Sequence, residues 1–258
     1  MKKKQKLMNL GAEKLADALL ELARNSDAAD DLVNRIIETP GENIQCFKSQ
    51  ITDLKRSRGF VPWRQSPELA QGLEALLDNI KASVQDPIAG LELISAFYEA
   101  DDSVFERCDD SSGCIGDVFR ISAKNIFLEY ASQCPDKEKV TGIILKLIEN
   151  NNYGARNNLI DCAGECLNES IIRNMISHIR KRADKENNKY KKRSYYSLIE
   201  SLARQIKDPE LFEKTRIASR GKTPTAVKID IARVYLESGE PDTALSWLNE
   251  IHDDESFL

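Results

Sequence analysis

Histidine is nearly absent from this chain: His178 and His252 are the only two in 258 residues, and they have no paired spacing. Zinc could use Cys162 and Cys166, four residues apart and on one face of an expected helix, but it would need two more ligands. A cysteine nucleophile would need a histidine partner, and nothing in the sequence places His178 beside one. Long apolar runs are also missing. After the basic start MKKKQK, the apolar residues Leu7, Met8 and Leu10 are interrupted by Gly11, Glu13 and Lys14. That leaves no secretory core of about seven to fifteen residues. No window approaches the roughly 18 apolar residues of a membrane span. A cytoplasmic protein with no membrane partner is therefore expected. Its six cysteines (Cys46, Cys108, Cys114, Cys134, Cys162, Cys166) are read as reduced thiols. Alternating strand patterns do not occur. A phosphate-binding glycine loop, a Ser-His-Asp order, a zincin motif and a dinucleotide fingerprint are all lacking, so no cofactor or metal is expected. There is no large excess of charge either. Lys plus Arg total 37 against 42 for Asp plus Glu, a net charge of −5. A nucleic-acid contact would need a local basic patch.

What the chain does have is helical period. In 11–24 the apolar residues Ala12, Leu15, Ala16, Leu19, Leu22 and Ala23 recur at steps of three and four. Similar patterns predict helices over 27–37, 44–54, 66–80, 86–97, 115–130, 136–149, 159–167, 171–182, 195–206, 209–218, 225–237 and 241–251. Ser66 before Pro67 reads as a capping serine with proline at the first helical position. Asp86 before Pro87, Asp208 before Pro209 and Glu240 before Pro241 are further start signals. About fourteen helices joined by short loops predict an all-α fold. Short connections make antiparallel pairs, and long runs of such pairs predict a right-handed superhelix, an α-solenoid. The domain organisation expected is one helical-repeat domain over 1–258, or two lobes, 1–150 and 151–258. The bend would then fall near the asparagine-rich break at 150–154 or in a basic loop at 184–193.

One unit is legible as a repeat. Ala226, Ile229, Ala232, Tyr235, Leu236, Gly239, Pro241, Ala244, Leu245, Trp247 and Leu248 resemble a tetratricopeptide repeat in their small-large spacing and glycine turn. Five segments together carry a wider resemblance: GAEKLAD at 11–17, RSRGFVPW at 56–63, SVFERCDDSSG at 103–113, NYG at 152–154 and the unit at 226–247. The chain resembles a bacterial family of helical-repeat proteins of unknown function, related to segments that accompany zinc fingers of the SWIM type. The resemblance implies an all-helical superhelix that in other members continues for further units. It implies no chemistry. The SWIM cysteine-histidine motif is absent, so no zinc knuckle is implied.

Two segments are dense in charge. The first, 101–117, holds Asp101, Asp102, Glu106, Asp109, Asp110 and Asp117, with Arg107 and Arg120 nearby. Clustered hard oxygens suit magnesium or calcium, but the spacing is not that of an EF-hand loop. The favoured reading is a helix–loop–helix corner in which Asp109, Asp110, Ser111 or Ser112 caps a helix starting near Gly113. Arg56 or Arg58 is expected to pair with a carboxylate of this corner. Trp63 is expected to pack in the core, with an exposed partner anchor as the alternative. The second segment holds Arg180, Lys181, Arg182, Lys185, Lys189, Lys191, Lys192 and Arg193 among Tyr190, Tyr195 and Tyr196. It reads as a solvated helix end plus loop that could also meet phosphates and bases.

The function expected is that of a non-enzymatic protein-interaction or scaffold module with another protein as partner. One alternative is a nucleic-acid-associated protein using 180–193. The other is a metal-dependent enzyme centred on 101–117, which would require at least three of those carboxylates in one pocket, unpaired with arginine.

Overall fold

The computed structural model describes residues 2–149, 151–221 and 223–251. His252 and Asn150, which enter the readings above, lie outside them. The described residues form an all-α structure with no strand. A single isolated parallel bridge joins Val61 to Cys108.

The helices begin where local chemistry satisfies their free N–H groups. Helices α1 (Lys2–Met8), α2 (Ala12–Ala23) and α3 (Asp27–Ile37) open the chain. α4 (Pro40–Arg56) starts in a capping box, where Thr39 and Glu42 satisfy each other's backbone N–H and Pro40 presets the first turn. α5 (Ser66–Ser83) has no side-chain cap. Ser66 is a correction to the sequence reading: its hydroxyl donates to the Asp109 carbonyl at 2.6 Å, far along the chain, and so ties a loop instead of capping its helix. α6 (Pro87–Tyr98) is capped by Asp86, which accepts from the N–H groups of Ile88 and Ala89. After α7 (Asp101–Glu106), α8 (Cys114–Asp117) runs through a π-turn (Val118–Ala123) into α9 (Lys124–Gln133). Within the π-turn the Phe119 carbonyl accepts from the Tyr98 hydroxyl at 2.9 Å. The bond gives that carbonyl a partner outside its own helix.

The main core forms around these elements. Phe97 stacks on Phe119 with ring centroids 4.9 Å apart. α6 meets α9 so closely that a Cβ on Gly90 would lie 2.4 Å from the Tyr130 ring. The Tyr130 hydroxyl in turn shares its one proton between the carbonyls of Val84 at 2.9 Å and Ile80 at 3.2 Å. The buried apolar cluster runs from Phe47 to Leu202 and includes Leu147, Ala155 and Leu159 on either side of residue 150.

The second half is a series of neighbours in sequence that are neighbours in space. α10 (Lys137–Glu149) packs on α12 (Glu169–Lys185), after the short α11 (Asn158–Asp161) and a 3-10 turn (Ala163–Glu165). α12 packs on α13 (Lys189–Gln205), α13 on α14 (Pro209–Arg220), α14 on α15 (Thr225–Glu237) and α15 on α16 (Pro241–Asn249). Gly221 closes α14 at φ +70°, and Gly239 turns the chain between α15 and α16 at φ +88°, where only glycine is free of strain. A smaller buried cluster of Ala203, Phe212, Val227, Ile231, Ala232, Val234, Tyr235 and Ala244 joins α13 to α16. No described helix is long and apolar enough to cross a membrane.

Candidate functional site

The acidic corner is held from inside. Asp101 is completely buried and meets Arg156, itself buried, through two bonds: Nε to Oδ2 at 2.8 Å and Nη2 to Oδ1 at 2.5 Å. Arg156 also donates from Nη1 to the Leu147 carbonyl at 3.1 Å. Burial pushes the Asp101 carboxyl up, and the Arg156 guanidinium pulls it back. The loop that carries Arg156 docks on α7: Tyr153 stacks on Phe105 at 4.9 Å, and Asn152 donates to Asp102 at 3.0 Å. Nothing near Arg156 in sequence announces this role, because its partner is 55 residues away.

Asp110 is the cap expected of this corner. Its two carboxylate oxygens accept from the N–H groups of Ile115 and Gly116 at 2.9 and 2.8 Å. Asp109 turns back to the N–H and hydroxyl of Ser111, while its own N–H donates to Val61 at 2.9 Å. Asp110→Ala leaves two N–H groups without acceptors and is expected to cost about 1–2 kcal/mol. A denaturant midpoint equal to that of the parent chain would remove Asp110 from this role.

Arg56 and Arg58 do not pair with the corner carboxylates, contrary to expectation. Among the described residues neither arginine forms an ion pair. Asp101 is taken by Arg156 and Asp110 by backbone N–H groups, so two of the carboxylates already have partners. Arg56 and Arg58 instead line an open cleft of about 440 Å³ with Lys55, Ser57, Ser103, Glu106 and Arg107. Lys55 is paired there with Glu99 at 3.1 Å. Asp117 lies exposed on α8. Trp63 is likewise not in the core. It is 57% exposed, Phe60 is 68% exposed, and Arg64 lies 5.5 Å from the Trp63 ring. The cause is the loop path: the bridge between Val61 and Cys108 pins the chain at Val61 and leaves its aromatic neighbours outside.

The three-carboxylate pocket that a metal enzyme would need does not form. Among the described residues no group of three or more His, Cys, Asp or Glu is placed to hold a metal. Cys162 and Cys166 are not on one helix face either, because the chain passes between them through the 3-10 turn Ala163–Glu165. There the Gly164 N–H donates to the Gln205 side chain at 2.7 Å. Burial pushes the Cys166 thiol up to about 11 and raises Cys162 as well, which keeps both protonated. His178 is exposed on α12, and none of the six cysteines is in a disulfide.

The basic segment differs from its expected loop. Residues 189–193 are the first turns of α13, and Asn188 caps them by accepting from the N–H groups of Tyr190 and Lys191. α12 therefore ends, and α13 begins, in cations. Basic residues favour a helix C-terminus and oppose an N-terminus, and α13 has no acid in its first turn. Arg182 pairs with Glu149, and Arg180 reaches the Thr215 hydroxyl at 3.5 Å. Lys181, Lys189, Lys191, Lys192 and Arg193 form no ion pair among the described residues. On the inner side of α13, Glu200 pairs with Arg216 at 2.8 Å, and Arg216 also meets Asp230. Burial pushes the Glu200 carboxyl up, against the pull of Arg216. This trio, with Glu200 buried and Arg216 and Asp230 half-buried, was not legible in the sequence, because its members sit on three different helices.

The fold and these surfaces define an all-helical protein with an open, arginine-lined cleft and one fully buried ion pair, Asp101 with Arg156, that ties a loop to α7. The chain belongs to a family of unknown function, DUF6880, whose model matches residues 3–257. A search of curated proteins gave no match, and neither did a search of solved structures.

Proposed function

We propose that this protein is a non-enzymatic interaction module that binds another protein through its N-terminal helices. The observation that carries the reading is on α3. Leu32, Ile36 and Ile37 are 44%, 61% and 72% exposed. Leu32 and Ile36 line an open groove of about 370 Å³ with Pro40 and Ala82. Leu20 and Leu22 on the neighbouring α2 are exposed as well. Contiguous exposed aliphatics of this kind mark interaction surfaces. The sequential packing of α12 to α16 supports the finer architectural reading, a right-handed, tetratricopeptide-like superhelix forming one domain. Six cysteines, none of them in a disulfide, suit a reducing compartment such as the cytoplasm.

The test is a photo-crosslinkable residue placed at Ile36 and, as control, at Lys214, which is exposed on α14. The expected result is one dominant crosslinked protein in cells from position 36 only, lost on adding Leu32→Glu. Leu32 is already partly in water, so that change should shift stability by no more than about 0.5 kcal/mol. The same bands from both positions would overturn the reading.

A further inference from the structure

We propose that the groove between α13 and α14 is a binding site for single-stranded nucleic acid, with phosphates held at its cationic rim and a base or ribose at its floor. The groove is built by two adjoining cavities of about 350 and 550 Å³ that share Tyr190, Arg193, Ser219 and Arg220. Lys189 and Lys192 complete the rim. None of these four cations is ion-paired among the described residues. In a chain of net charge −5, such a concentration of unpaired positive charge is local, and three of the four (Lys189, Lys192 and Arg193) sit at the start of α13, where they oppose its dipole. Packing does not account for it, since Lys189, Arg193 and Arg220 are exposed. An anionic strand would neutralise both the side chains and the helix end.

The floor narrows the ligand class. Glu200 is 6% exposed and lines the groove. Its Oε2 bonds Arg216, but its Oε1 is buried with no hydrogen-bond partner, as is Arg216 Nε. A buried acceptor without a donor costs about 1–3 kcal/mol. A phosphodiester group or an inorganic polyphosphate chain by itself brings acceptors, and would meet this carboxylate unfavourably. A nucleotide brings phosphates for the rim together with an amino group or a ribose hydroxyl that can donate to the Glu200 carboxylate lining the floor. Tyr190, 86% exposed at the mouth, offers a free ring face for stacking. From Lys189 to Glu200 the groove runs roughly 16 Å along α13, at about 1.5 Å per residue. That length accommodates a short stretch of strand.

The test is fluorescence anisotropy of the full chain with a labelled 12-nucleotide RNA of mixed sequence, and with the same sequence as a duplex. At low salt the single strand is expected to bind and the duplex to bind at least about tenfold more weakly. Affinity should fall steeply as salt rises. Arg193→Glu with Arg220→Glu should weaken binding by about tenfold or more and flatten the salt dependence. Tyr190→Ala should weaken it by about fivefold or more with the salt dependence unchanged. All three positions are exposed, so circular dichroism should show the parent helix content in each variant. The proposal is overturned if no binding occurs at low salt, or if the charge reversal changes nothing. It is also overturned if Tyr190→Ala has no effect while inorganic polyphosphate competes as well as RNA, which would reduce the groove to a nonspecific anion surface.

Discussion

Arg156→Leu is expected to lower the stability of the protein by about 3–5 kcal/mol, one of the two largest effects of any single change. The substitution strands the Asp101 carboxylate, which has no exposed surface, with only the Asp102 N–H at 2.6 Å left to meet its charge. It also frees the Leu147 carbonyl and unpins the loop whose Tyr153 lies on Phe105. Denaturant unfolding checks this directly. Adding Asp101→Asn to Arg156→Leu should recover part of the loss, because no net charge then stays buried. The deficit of the single variant should also shrink as pH falls. Burial raises the Asp101 carboxyl above its ordinary value, and losing Arg156 removes the main opposing pull. A folded state whose acid has a raised pKa takes up a proton before the unfolded chain does. It therefore gains relative stability on acidification and loses it as pH rises through the folded value. If Arg156→Leu sits within about 0.5 kcal/mol of the parent chain, the range of ordinary surface changes, the pair contributes nothing as a buried unit.

Gly90→Ala is the second large effect. The added methyl would lie 2.4–2.5 Å from three atoms of the Tyr130 ring, closer than packed carbons approach. Tyr130 cannot swing away freely, because its hydroxyl is bonded to the carbonyls of Ile80 and Val84 at the end of α5. The choice is to break those bonds or to push α6 from α9. Overpacking of this kind costs about 1–3 kcal/mol, and the severed hydrogen bonds add to it. The gain in helix propensity from glycine to alanine, about 1 kcal/mol, offsets only part. The expected result is a net loss in thermal and chemical unfolding. Pairing the change with Tyr130→Ala should make the two effects non-additive, since the clash disappears with the ring. A stabilised Gly90→Ala variant would mean that α6 and α9 are further apart than the structure places them.

These two sites also show where sequence reasoning reaches its end. Gly90 sits inside an apolar helix pattern with no sign of a neighbour, and Arg156 sits in a polar loop with no sign of a partner. The elements themselves were legible, because a helix is specified by residues three and four apart and by its caps. Asp86 and Asp208 cap α6 and α14 as their spacing before proline implies, and Asp110 caps the helix after the acidic corner. The same local logic failed at Ser66, whose hydroxyl found a carbonyl 43 residues away. It failed again at 159–167, where a helical pattern became a short α-helix and a 3-10 turn held by Gln205.

The all-helical class, most helix starts, a cap somewhere within 109–112 and a basic cluster at 180–193 were legible in one dimension, and the structure gave the cap to Asp110. Each depends on groups within about one or two helical turns of one another. Only the tertiary structure decided that Asp101 belongs to Arg156 and not to Arg56 or Arg58, that Trp63 faces water, and that Lys189 and Arg193 share a groove with Arg220. Those outcomes depend on which helix faces meet and which charges are taken out of water together. Burial changes the strength of an ion pair several-fold, and a one-dimensional pattern does not record it.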